Sequence, residues 1–110
     1  MSEAVQTLEG WYALHDFRAI DWTAWEEAPA DLKETAVREL LELVAEWEAA
    51  EADKKGSFAV YSVVGQKADL LFLNLRETLE ELNAVETKLN RSAFGRFISP
   101  AWSYVSVVEL

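Results

Sequence analysis

The chain has 110 residues, 51% of them hydrophobic, a length that suits one compact domain with a real core rather than two. Ten Lys and Arg against twenty Asp and Glu give a formal net charge of −10, so phosphate backbones and anionic membrane surfaces repel it at long range, and nucleic acid is not an expected partner. It contains no cysteine, which removes disulfides, thiolate ligation and thiol catalysis and leaves a cytoplasmic location as the default expectation.

Met1 to Gln6 carries an acid where a secretory signal needs basic residues followed by an apolar stretch, so no export signal is read there. The longest apolar runs are a few residues, far short of the roughly 20 that cross a bilayer, and no membrane partner is expected. Gly10 to Ile20 then reads as a first strand. Trp11, Ala13, His15 and Phe17 share one side, and Tyr12, Leu14, Asp16 and Arg18 share the other. Asp21 stands where a helix N-cap belongs, and Trp22 to Glu27 can make a short helical turn that Pro29 interrupts.

Asp31 to about Lys54 predicts a long amphipathic helix. Val37, Leu40, Leu41, Val44 and Trp47 recur at spacings of three and four, with Glu39, Glu42, Glu46 and Glu48 on the remaining surface. Lys54 and Lys55 fall in its last turn, and Gly56 serves as a left-handed stop. Ser57 to Val64 and Ala68 to Leu75 predict a hairpin around Gly65-Gln66-Lys67. In its second strand Leu71, Leu73 and Leu75 face one way and Leu70, Phe72 and Asn74 the other, so both sides require cover.

Thr78 to Glu81 is a capping box, and Leu79, Leu82, Val85 and Leu89 mark the stripe of a second helix. Asn90 to Pro100 holds a short extra helical piece before Pro100 forces extended chain. Ala101 to Leu110 is the last strand, with Trp102, Tyr104, Ser106 and Val108 opposite Ser103, Val105 and Val107.

The predicted order is β-α-β-β-α-β. This is an α+β, ferredoxin-like fold with a four-stranded antiparallel sheet and helices on one face, occupying 1–110 as a single domain. The helices cannot hide all of Trp11 or Tyr12, Phe72 or Leu73, and Trp102 or Val105, whichever parity turns outward, so a second ferredoxin-like sheet is expected on the other face. That sheet comes from the same longer chain or from another copy. There is no internal repeat and no low-complexity linker. The chain stops within or at the very end of a strand at Leu110, which leads us to expect a truncated, proteolysed or designed boundary.

Several segments then show a resemblance. Thr7-Leu8-Glu9-Gly10-Trp11-Tyr12-Ala13-Leu14-His15-Asp16-Phe17-Arg18 is similar to the opening of chlorite-dismutase-like proteins. Ile20-Asp21-Trp22, the stretch from Tyr61 to Phe72, and Ser103 to Leu110 resemble that family in order and spacing, so the likeness runs over essentially the whole chain. The subgroup it resembles most is the coproheme decarboxylases, which use peroxide to convert coproheme III to haem b. Intact members pair two ferredoxin-like subdomains as an α+β barrel and commonly assemble as pentamers. The resemblance therefore implies an N-terminal subdomain, with a C-terminal half or another copy as partner and a homo-oligomer as the assembly. The family's proximal histidine and reactive tyrosine lie in the C-terminal subdomain, at positions absent here. Haem or coproheme is thus implied for the intact protein and none for this piece, and no catalytic, cofactor-binding or metal residue is assigned to it.

The remaining candidates read as structural. His15 is the only histidine, and a strand histidine followed by Asp16 reads as a hydrogen-bonded partner within a sheet rather than a haem or metal ligand. Trp11, Trp22, Trp25, Trp47 and Trp102 read as core and interface packing, and Tyr12, Tyr61 and Tyr104 as strand residues rather than radical sites. The pairs Glu26-Glu27 and Glu80-Glu81 read as solvated helix faces, and Asp16 near Asp21 is a weak acid/base candidate. Gly65 to Asp69 reads as a turn and not a phosphate cradle. Arg18, Arg76, Arg91 and Arg96 could meet propionates in a completed barrel, yet most should pair with the abundant acids.

Two functions follow. One is a barrel-closing and assembly module of a haem enzyme, itself without catalytic power. The alternative is a stand-alone homodimeric α+β barrel, haem-binding or monooxygenase-like, with its site between two copies.

Overall fold

A computed structural model describes residues 10–65 and 67–108. The elements run β1 (Tyr12–Ile20), α1 (Trp22–Glu27), α2 (Ala30–Ala52), β2 (Gly56–Ser62), β3 (Leu70–Arg76), α3 (Leu79–Arg91), a 3-10 turn (Phe94–Phe97) and β4 (Ile98–Val107). All strand pairings are antiparallel and the sheet order is β2-β3-β1-β4, which is the ferredoxin-like arrangement expected from the sequence.

Local chemistry sets most boundaries. The Asp21 side chain accepts from the Ala24 N–H to start α1, and the Thr78 hydroxyl accepts from the Glu81 N–H to start α3. Lys88 and Arg91 stand in the last turn of α3, where the helix dipole favours cations. The end of α2 differs from expectation: Lys54, not Gly56, takes the left-handed conformation, at φ 60°. The Lys55 N–H reaches back to the Ala50 carbonyl at 2.8 Å and closes the terminus. Gly56 already belongs to β2 and is needed for close approach, because a Cβ there would lie 2.5 Å from Arg76 Nε and 2.8 Å from the Leu75 carbonyl.

The buried side of α2 is rotated from the expected stripe. Ala36, Leu40, Leu43, Val44 and Trp47 turn inward, while Val37 and Leu41 are exposed. Ala36 is small enough to bring the helix close to its neighbours, so the contact line runs one residue earlier than the large apolar side chains suggest. Leu79 is likewise exposed at the start of α3, whereas Leu82, Val85 and Leu89 are buried.

The last strand begins earlier than expected and runs through Pro100. It can do so because β4 is an edge strand, where a missing N–H costs the ladder little. The register shifts between Phe17 and Arg18, which pair with Trp102 and Pro100, so the extra residue forms a bulge there. The core lies between the helices and one face of the sheet. Trp47 packs on Phe58 and Phe72, and Trp25 meets Phe97 edge-on at 5.1 Å.

A candidate interaction face and a buried ion pair

Because Trp47 meets Phe58 and Phe72, the side of the sheet bearing those two residues is the covered one. Strand alternation and the register then put Asp16, Arg18, Leu70 and Asn74 on the same side. Arg18 grips Asp16 there with two parallel bonds, Nε to Oδ1 at 2.7 Å and Nη2 to Oδ2 at 2.8 Å. Both residues are 2% exposed. The arginine is thus committed to an internal acid, as the excess of carboxylates suggested, and Asp16 is not free for acid/base work.

Asp69 is a residue whose role the sequence did not reveal. Its carboxylate accepts from the Ile20 N–H at 2.7 Å, and its own N–H donates to the Arg18 carbonyl at 2.8 Å. Gln66, within the expected turn, lies outside the described residues; around it the Val63 N–H donates to the Asp69 carbonyl at 2.9 Å, and Asp69 pins the connection to the end of β1. Gly65 supplies a φ of 75°.

The opposite side of the sheet bears no helix. On β1 it presents Ala13, His15 and Phe17, and on β3 Leu71, Leu73 and Leu75. The outer strands add Ser57, Ala59 and Tyr61 from β2 and Trp102, Tyr104 and Ser106 from β4. Among the described residues of this face there is no Asp, Glu, Lys or Arg. Trp102 is 43% exposed, Tyr104 49% and Tyr61 52%. Aromatic rings run across two strands: His15 stacks on Tyr104 at 4.2 Å with planes 8° apart, and Phe17 lies 4.6 Å from Trp102.

His15 does not bond to Asp16, because adjacent strand residues point to opposite sides; the expected hydrogen bond is replaced by the stack on Tyr104. Its Nδ1 is shielded from solvent without a hydrogen-bond partner. Of the other candidates, Trp25 and Trp47 pack in the core beneath the helices, Trp11 is buried and Trp22 is exposed. Glu26, Glu27 and Glu80 are exposed, as are Arg91 and Arg96, while Arg76 lies half-buried with Nε unpartnered.

These residues do not fit a haem on this layer alone. An axial histidine must aim a ring nitrogen at the iron, whereas the His15 ring lies flat against a phenol with one nitrogen shielded. Among the described residues, no three His, Cys, Asp or Glu are placed to share a metal ion. No helix among them is long and apolar enough to cross a membrane.

A family model described as chlorite dismutase matches residues 33–110. The chain belongs to the chlorite dismutase family. A structure of a novel heme-binding protein from Thermus thermophilus is 51% identical to it with a TM-score of 0.89, over 94% of this chain and 42% of that one. A mutant chlorite dismutase from Candidatus Nitrospira defluvii shares the fold at 22% identity and a TM-score of 0.81, over 97% of this chain and 44% of that one. This family member therefore spans less than half the length of either structure. The family model begins within α2, so the resemblance of Thr7 to Arg18 lies outside its span. Residues 1–9 and 109–110, which carry part of the sequence resemblance and the end of the expected last strand, lie outside the described residues.

Proposed function

We propose that this chain is the N-terminal, single-domain layer of a haem-dependent chlorite dismutase family protein of the coproheme-decarboxylase type. In that reading it closes an α+β barrel and supports assembly, while a second ferredoxin-like half carries the haem ligand. The observation that carries the proposal is the helix-free side of the sheet, which is mostly apolar and, among its described residues, bears no Asp, Glu, Lys or Arg in a chain with 27% charged residues. Four strands about 4.8 Å apart, each with several paired residues, give a flat platform suited to aligned sheet packing. Covering it would remove on the order of 800 Å² per partner, the size of an ordinary specific interface.

The Thermus thermophilus relative, described as heme-binding and more than twice as long, supports a haem role for the intact protein. The likeness of Tyr61 to Phe72 and Ser103 to Leu110 to chlorite-dismutase-like proteins supports the family reading, and the finer assignment rests on the overall resemblance to the coproheme decarboxylase subgroup. With the second half, peroxide-dependent decarboxylation of coproheme would be the reaction, a homo-oligomer the assembly and the cytoplasm its location.

Two measurements on the purified chain test this. Sedimentation should show concentration-dependent self-association through the open face, and a strict monomer at high concentration would count against the layered reading. Titration with coproheme should give no saturable Soret shift. A stoichiometric shift lost in His15→Ala would instead favour a homodimeric barrel with its site between two copies.

A further inference from the structure

Among its described residues the open face carries a single basic group, His15, and its surroundings decide when that face can be covered. Along β1, Ala13 and Phe17 flank His15; Leu73 lies opposite it on β3 and Tyr104 on β4. The other titratable side chains among the described residues on this side are the phenols of Tyr104 and of Tyr61 from β2. Asp16 and Arg18, the nearest charges in sequence, turn to the helix side and bind each other. Among the described residues of the open side, none offers a countercharge to an imidazolium.

His15 is already half-buried, with Nδ1 shielded and unpartnered. A second sheet would remove its remaining water. Neutral imidazole tolerates that transfer far better than the cation, which would be enclosed without a counterion or an acceptor.

We infer that His15 is a proton-operated gate on this interaction surface: the open face accepts a second, uncharged ferredoxin-like sheet when His15 is neutral and rejects it when His15 is protonated. This rests on the layered reading above. The occupant follows from the lining, which has no charge to pair with a charged partner, and from the relatives, which extend over more than twice this length. For the purified chain the occupant is a second copy.

The pH dependence has a definite sign. Imidazoles ordinarily gain their proton between about pH 8 and pH 5. Each His15 that must lose a proton before docking weakens association by up to about tenfold per pH unit on the acid side, so self-pairing, which covers two, weakens by up to about a hundredfold. Bulk charge acts the other way. Acid reduces the repulsion between two copies of net charge −10 and by itself tightens association.

Sedimentation equilibrium from about pH 8 to about pH 5.5 at constant ionic strength separates the two. The unmodified chain should dissociate as the pH falls. His15→Gln should associate equally or more tightly over the same range, and His15→Phe, which keeps a flat ring on Tyr104, should follow the glutamine variant. Profiles that run parallel in all three proteins would overturn the gate while leaving the layered reading intact. A chain that stays monomeric at every pH would overturn both.

Discussion

The helix-covered side of the sheet encloses Asp16, Arg18 and Asn74 at 1–2% exposure, while the open side leaves Trp102 and Tyr104 almost half exposed and shows no formal charge among its described residues. In a protein whose surface is meant for water, the distribution runs the other way. The covered side can hold charges because Arg18 and Asp16 satisfy each other through two bonds. In the layered reading proposed above, the described residues of the open side lack charges because a charge there would obstruct a second layer. One face is a finished interior, and in that reading the other is an interior that a second layer completes.

The largest expected effect tests the finished side. Asp16→Ala leaves the Arg18 guanidinium enclosed without its acid, and such half-removals cost about 3–5 kcal/mol. Urea denaturation should show that loss, and the double variant Asp16→Leu with Arg18→Met should recover most of it, because replacing both partners leaves no orphaned charge. A loss below about 1 kcal/mol would mean that the pair behaves as a surface ion pair, and the contrast between the faces would then be much weaker.

The two faces were unequally legible in the sequence. Alternation separates Phe17 from Asp16 on β1 and Leu73 from Phe72 on β3, and the structure agrees, because a strand has a fixed period of two; which parity turns outward came only from the register. Val37 and Leu41 were misassigned to the core because a helix buries a broad arc, and a small residue such as Ala36 can hold its centre without looking hydrophobic. The stack of His15 on Tyr104 was out of reach. It depends on the β1–β4 register, which a bulge beside Pro100 resets far along the chain from β1. The same holds for Asp69 and Ile20, whose bond spans 49 residues. Local pattern reveals which side a residue faces, but not which residue it meets across strands.

Phe72→Ala sharpens the comparison next. Phe72 is 2% exposed and packs beneath Trp47, so its removal leaves a cavity that the surrounding rings cannot fill. The expected cost is about 3–5 kcal/mol, set by lost transfer energy plus the cavity. It should be independent of protein concentration, because nothing about that site changes when the open face is covered.

Phe17→Ala is its counterpart on the open side and should have the smallest effect on the isolated layer. Phe17 is only half-buried, resting against Trp102 at one edge of the sheet, so a dilute, monomeric chain should lose about 1 kcal/mol. At concentrations where copies associate the apparent loss should grow, because the unmodified chain then gains stability from pairing that the variant has weakened. Urea midpoints measured across a wide range of concentration would reveal this. The Phe72→Ala offset should stay constant, and the Phe17→Ala offset should widen. Equal, concentration-independent offsets for both would mean that the open face is simply tolerated by solvent, since only a surface that trades water for another layer makes its side chains matter more as copies become plentiful.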